Sequence, residues 1–228
     1  MALTTHPAML GVRRTLRAMG LTAPLRKLLG GSGYEQKFDA AMMSAVTGAR
    51  LVWDVGANAG LYTQKFADAL SSDGRVVAFE PSPRNANALA QKFSADERVT
   101  VETCALSDQQ GQMFFEAAAE GDGTRDHIVD YDTGLKVEVL TADMLVFERN
   151  VPAPDFMKID VEGFELHVFK GMGRMLSERP PRHIFCEVHF FALEKMGLKT
   201  GPNDIVKILT GKGYTVKWTD ASHLHAHL

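Results

Sequence analysis

The sequence is short of several things, and each shortage excludes a class of protein. Its 228 residues include two cysteines, Cys104 and Cys186. Two thiols cannot make a disulfide framework, and they fit a reducing, cytoplasmic compartment. No apolar run approaches the ~20 residues needed to span a bilayer, so a membrane channel is excluded. The long apolar core and small-residue cleavage pattern of a secretory signal are also missing. Neither sign of charge dominates, with 25 Lys plus Arg against 28 Asp plus Glu. That balance argues against nucleic-acid binding, which needs a concentrated basic surface. What is present, 45% hydrophobic and 23% charged residues, is the mixture of an ordinary globular protein and not of a disordered tail. A chain of this length buries a sizeable core without staples.

The charge is unevenly spread. Residues 1–50 hold seven bases and two acids, a net of +5, and the remainder therefore carries -8. Met9, Val12, Leu16 and Met19 have helical spacing, with Arg13, Arg14 and Arg17 mostly on the opposite side. Three readings stand: a helix packed on the domain, a cap over a substrate site, or a contact with a membrane surface or acidic partner. Gly30-Gly31-Ser32-Gly33 reads as a flexible break. The chain divides on this basis into an N-terminal helical extension, 1–48, and a domain, 49–228.

From residue 50 onward, strands and helices alternate. Short apolar runs at 51–55, 75–80, 99–104, 156–160, 183–188 and 214–218 predict strands. Helical spacing lies between them at 62–70, 83–93, 163–176 and 204–209. Two β-rich runs, 113–116 and 136–140, break the alternation and read as an antiparallel excursion before the fourth core strand. The expected fold class is α/β: a Rossmann-like, doubly wound, mostly parallel sheet. Ligands of such sheets bind beyond the carboxyl ends of the strands.

The first strand ends in Asp54-Val55-Gly56-Ala57-Asn58-Ala59-Gly60. Glycines there permit positive φ and close approach of a ligand. Glu80 closes the second strand, where a carboxylate accepts hydrogen bonds from ribose hydroxyls. A nucleoside cofactor follows from these features together. Its kind follows from charge. Asp54, Glu80, Asp160 and Glu187 all fall at predicted strand ends, where they would repel a pyrophosphate and attract a cation. S-adenosylmethionine carries a sulfonium, an ammonium and no phosphate, and Asp54 is placed to act on its ammonium, directly or through water.

These residues resemble the class I S-adenosylmethionine-dependent methyltransferases, and within them the FkbM family. Residues 52–63 look like the family's cofactor loop, and Lys158-Ile159-Asp160-Val161-Glu162-Gly163 looks like its distinctive signature. Phe79-Glu80-Pro81, Ala105-Leu106-Ser107-Asp108 and Thr141-Ala142-Asp143 support the match, with Ala142 where the family usually has Leu. The resemblance implies that Gly56, Asn58 and Gly60 line the methionine and ribose, and that Glu80 holds the ribose hydroxyls. It puts Pro81 and Ser82 beside the adenine, Ala105, Leu106 and Ser107 around it, and Asp160 near the methyl group. The product would be S-adenosyl-L-homocysteine. The acceptor would be a hydroxyl on a sugar, a glycan or a secondary metabolite. The superfamily's closing hairpin is the weak point, because only 223–228 remain for its second arm.

A hydroxyl acceptor needs a base or a metal to take its proton. The candidates are Asp160, Glu162, Glu187 and His189, with His189 as acceptor polarised by Glu187 or Asp160. A divalent metal on Asp160, Glu187 and His189 is open but not favoured. Blander roles also exist. His189 can be structural, Glu162 can cap the following helix, and His167 reads as half-buried or solvated. His223, His225 and His227 can be a loose tail, and the two cysteines small buried hydrophobes. An NAD(P)-dependent oxidoreductase and a non-catalytic cofactor-binding protein are the rival functions, and a homodimer is left open.

Overall fold

The computed structural model describes residues 32–116 and 127–228, with the side chains of residues 32–35 left aside. The predicted basic helix around Met9 to Met19, residues 30 and 31 of the predicted break, and residues 117–126 lie outside the described residues. In chain order the elements are α1 (Ser32–Val46), β1 (Leu51–Val55), α2 (Leu61–Ala69), β2 (Arg75–Phe79), α3 (Pro83–Lys92) and β3 (Val99–Glu102). Next come β4 (Ala105–Leu106), β5 (Gly111–Glu116), β6 (His127–Val129), β7 (Lys136–Leu140), α4 (Ala142–Phe147) and β8 (Phe156–Ile159). The chain continues with α5 (Glu165–Lys170), α6 (Met175–Glu178), β9 (His183–Glu187) and α7 (Phe190–Lys195). It ends with α8 (Gly201–Gly211), β10 (Thr215–Trp218) and β11 (His223–His227).

Among the described residues one sheet has the order β10-β11-β9-β8-β1-β2-β3. Its strands are parallel except β11, which runs antiparallel to both neighbours. Both faces are covered, and so its central strands are apolar throughout. Side chains alternate between faces. Trp53, Val55, Met157 and Ile159 enter one core, and Val52 and Phe156 enter the other. The second core is closed by α1 through Phe38, Met42 and Val46. The end of the segment read as an extension therefore packs into the domain, and α1 already begins at Ser32, inside the predicted break.

Two expectations need correction and a third is extended. The closing hairpin is complete: β11 pairs with β9 from His223↔Glu187 to His227↔His183, with Leu224 and Ala226 fully buried. The predicted loose tail is thus an interior strand. The helix expected over 163–176 is broken at Gly171, where a Cβ would stand 1.8 Å from the Ser107 carbonyl oxygen. The antiparallel excursion is a separate sheet, β4-β7-β5-β6, which includes the unforeseen strand β6.

Phe38 is 4% exposed, with its ring 5.4 Å from Phe185 and 4.3 Å from His223. Phe38→Ala should cost about 3–5 kcal/mol in urea unfolding. A loss under about 1 kcal/mol, the usual range for surface positions, would show that α1 is not part of the core.

Candidate active site

The loop after β1 is shaped by close packing. Gly56 has φ +81°, and a Cβ there would lie 1.9 Å from the Asp160 carbonyl oxygen. Gly56 and Ala57 both donate their N–H to the Phe79 carbonyl at 3.0 Å. Asn58 is left-handed at φ 48°, and its N–H donates to Glu80 Oε2 at 2.7 Å. The other Glu80 oxygen accepts from the Ser82 N–H at 2.9 Å. The buried carboxylate of Glu80 thus ties the glycine loop to the start of α3. A carboxylate oxygen can accept more than one hydrogen bond, which suits this group to a ligand hydroxyl.

A cleft lies beyond these strand ends, with about 660 Å³ of empty space when its open mouth is included. Gly56, Asn58, Glu80, Pro81, Ala105, Leu106, Asp160 and Glu162, all named as candidates from the sequence, line it. Its far wall is apolar and comes partly from the second sheet, through Phe115 and Ile128, and partly from Phe164 at the start of α5. Among the described lining residues the only ionisable base is His127. A purine and ribose fit this combination of apolar walls and one anchored carboxylate, while a pyrophosphate would face Glu80, Asp160 and Glu162.

Four predicted cofactor residues are not in that lining. Ser82 is buried and accepts from the Asn85 N–H, capping α3. Ser107 is buried as well, with its N–H given to Leu140 and its carbonyl against Gly171. Gly60 backs onto Leu89 and Phe93 of the α3 region, where its hypothetical Cβ would be 2.4 Å from Leu89 Cδ2.

Asp54 is the fourth. It is fully buried, accepts from Thr63 Oγ1 at 2.7 Å, and lies 3.5 Å from the Lys158 ammonium. Asp54 and Lys158 are direct partners in the β1–β8 register. Burial raises the Asp54 pKa, against the pull of Lys158. For Lys158, burial alone would depress the ammonium, but Asp160, 3.4 Å away, and Asp54 hold it above its ordinary value. Asp54 therefore faces a lysine inside the protein and is not among the residues that line the cleft.

Glu187 is also committed. His223 Nε2 lies 3.5 Å from Glu187 Oε2, and its Nδ1 lies 2.7 Å from Asp220. The His223 contact is the main cause holding the Glu187 carboxyl below its ordinary pKa. The Glu187–His223 pair was invisible at the sequence level, because its partners come together only through the pairing of β11 with β9.

The remaining candidates converge at the edge of the cleft. His189 Nε2 is 3.2 Å from Glu162 Oε2, 3.8 Å from Asp160 Oδ1 and 4.0 Å from Glu187 Oε1. Its Nδ1 meets Glu165 Oε1 at 2.8 Å. Glu165 is fully buried, and the same oxygen accepts the Gly163 N–H at 2.9 Å. Glu165 thus does the local tying that was expected of Glu162, whose side chain is turned to the cleft instead. Glu162 adopts φ 51°, a costly conformation for a non-glycine residue, and Gly163 follows at φ 111°. A Cβ on Gly163 would stand 2.5 Å from Ala192 Cβ, so this loop presses directly on α7, the helix that His189 starts.

Charge crowding tunes the cluster. Burial would lower the His189 pKa, but the Glu165 hydrogen bond and the charges of Glu165, Glu162 and Asp160 raise it to about 9. Burial pushes Glu162 up to about 7, with Asp160, Glu187 and Glu165 adding to the rise and His189 opposing it. At neutral pH His189 is an imidazolium and Glu162 is poised to exchange a proton. Donor atoms of Asp160, Glu162 and His189 all lie within 4.8 Å of one another. These oxygen and nitrogen donors are the residues here that could hold a divalent ion, with Glu162 in place of the expected Glu187. His167 is half-exposed, and burial lowers its pKa.

The strand order, the glycine loop and the acidic cleft at the strand ends define a class I methyltransferase fold. Residues 54–216 match the family model of the methyltransferase FkbM domain, and the chain belongs to that family. The chain is 31% identical over 162 residues to hexuronic acid methyltransferase AglP of Haloferax volcanii, a stretch of 70% of this chain and 61% of that protein. It is 29% identical over 202 residues to the 31-O-demethyl-FK506 methyltransferase FkbM of Streptomyces tacrolimicus, covering 73% of each. Among solved structures, an FkbM methyltransferase from Methylobacillus flagellatus superimposes with TM-score 0.54 at 19% identity, over 79% of this chain and 44% of that one.

Replacing Glu165 with Gln removes the charge behind His189 and keeps the shape. In a 15N-edited NMR titration the His189 midpoint, expected near 9, should fall by about one unit or more. An unchanged midpoint would show that Glu165 does not set the charge of His189.

Proposed function

We propose that the protein transfers a methyl group from S-adenosylmethionine to a hydroxyl of a small molecule. Bound at the cleft, S-adenosylmethionine supplies a methyl already activated on a sulfonium. The observation that carries this reading is the position of Glu162 Oε2, at the cleft edge beside Asp160 and 3.2 Å from His189 Nε2. A carboxylate with a pKa of about 7 is well matched to accept a hydroxyl proton near neutral pH. His189, an imidazolium fixed by Glu165, donates to Glu162 and orients it. This reverses the roles expected from sequence, where His189 was the acceptor. Glu80 holds the ribose, and the walls formed by Leu106, Phe115 and Ile128 exclude water from the purine.

The named relatives guide the choice of acceptor. They include a hexuronic acid methyltransferase, a 31-O-demethyl-FK506 methyltransferase and a 2-O-methyltransferase, NoeI, from Sinorhizobium fredii. We read the acceptor here as a hydroxyl on a sugar, a glycan or a polyketide, met in the cytoplasm and not on nucleic acid. The acid-lined cleft supports that choice, because a phosphate backbone would be repelled. It also speaks against NAD(P), and no described helix is long and apolar enough to cross a membrane.

Mass spectrometry of cell extract treated with methyl-labelled S-adenosylmethionine should reveal a labelled product with wild-type protein. Glu162→Gln should lower its formation by roughly 10²–10⁴-fold, with S-adenosylhomocysteine affinity kept within about threefold. Binding without transfer to any hydroxyl would favour a non-catalytic protein. The rate should rise as pH passes about 7, where Glu162 loses its proton, and fall beyond about 9, where His189 loses its own. A rate flat from pH 6 to 10 in the wild type, outside the range of both groups, would remove both residues from the proton transfer.

A further inference from the structure

The three histidines of the last strand do not all serve the cleft. His223 is taken up by Asp220 and Glu187, but His225 and His227 lie on the same face further along β11. There they meet His183, the first residue of β9, which is paired with His227 in the register. The three rings form a compact group, with centroids 5.4 Å apart for His183 and His225, 5.3 Å for His225 and His227, and 6.3 Å for His183 and His227. His225 is held flat against Phe185, 4.0 Å away and 12° from parallel. All three are partly exposed, so the group is open to solvent.

The closest contact is informative. His183 Nδ1 and His225 Nε2 are 3.1 Å apart. Two imidazole nitrogens bound to one tetrahedral zinc at ~2.0–2.1 Å would be separated by roughly 3.3 Å. The pair, which shares a hydrogen bond, therefore stands near the spacing that a common ion imposes, and the His227 ring lies beside it, 5.3 Å from His225 between centroids. Among the described residues no carboxylate forms an ion pair with any of the three. Burial, the two neighbouring imidazoles and Lys217 hold His225 down to about 4, and burial also lowers His183. Neutral imidazole is the form that binds a metal. Lys217, across the strand from His225, and Arg182, beside His183, oppose a cation and set a moderate affinity.

We propose that His183, His225 and His227 form a site for a divalent ion of the zinc class, with solvent completing the coordination. The donor set is all nitrogen, which suits zinc, copper or nickel and not magnesium or calcium. The ion would clip the closing strand to β9, the strand that ends at Glu187. The site is separate from the cleft and does not rest on the methyl-transfer reading.

Calorimetry of tag-free protein with ZnCl2 at pH 7.5 tests it. One zinc per chain is expected, with Kd of about 10 µM or tighter, a raised Tm, and a four-coordinate visible spectrum when Co2+ replaces Zn2+. His225→Gln should weaken binding by roughly tenfold or more, while Glu162→Gln should leave it intact. His227→Gln gives the same reading if His225→Gln fails to fold, because His227 has no stacking role on Phe185. Wild-type affinity no better than about 1 mM would overturn the proposal. So would binding that survives the histidine changes and is lost in Glu162→Gln, since the ion would then occupy the cleft.

Discussion

The structure depends on one ammonium group. Lys158 is 5% exposed in the middle of the main sheet, between Asp54 on β1 and Asp160 just beyond β8. A buried ammonium is costly unless it is paired, and so is the buried carboxylate of Asp54. Each group here is tolerable because of the others. The register that opposes Asp54 to Lys158 also brings the end of β1 against the end of β8, close enough that only a glycine fits at position 56. The cofactor loop, the position of Asp160 and the entry to the strained Glu162 turn all follow from that approach. Tyr62 adds to the arrangement, with its ring 4.8 Å from the Lys158 ammonium and its hydroxyl donated to Asp39 of α1.

Around this centre the acids are sorted by their partners. Asp54 is neutralised inside by Lys158, and Glu187 by His223 from the closing strand. Glu165 is held by His189. Asp160 and Glu162 are left facing the cleft, on a turn whose shape is imposed by contact with Ala192. A cluster that looks uniform in sequence is thus divided by packing into structural and chemical members. The division also decides which group can exchange a proton near neutral pH, since Glu162 is raised by burial while Glu187 is lowered by its imidazole.

Much of this was legible in the sequence. The strand–glycine–helix pattern and the Lys158–Gly163 run located the fold, the cleft and eight of its lining residues. What stayed hidden depended on register and on contacts distant along the chain. Asp54 and Lys158 are 104 positions apart, and only the β1–β8 pairing shows that they neutralise each other. Glu165 was overlooked because an acid at the start of a helix is ordinary, and only the buried contact with His189 gives it meaning. The last strand was misread because its alternate residues are histidines, which resemble a tail until Phe38, Phe185 and Glu187 are seen beside them. The second sheet was read as an excursion, yet Phe115 and Ile128 make one wall of the cleft.

The central claim is that the cleft between β1, β2 and β8 holds the cofactor with its reactive end toward the Asp160–Glu162–His189 cluster. A crystal structure with S-adenosylhomocysteine tests this most directly. The ribose hydroxyls should lie on Glu80, the purine against Leu106 and Phe115, and the sulfur should be directed at that cluster, with Lys158 still between Asp54 and Asp160. Ribose hydroxyls away from Glu80, or a cofactor ammonium bound by Asp54 with Lys158 displaced, would contradict it.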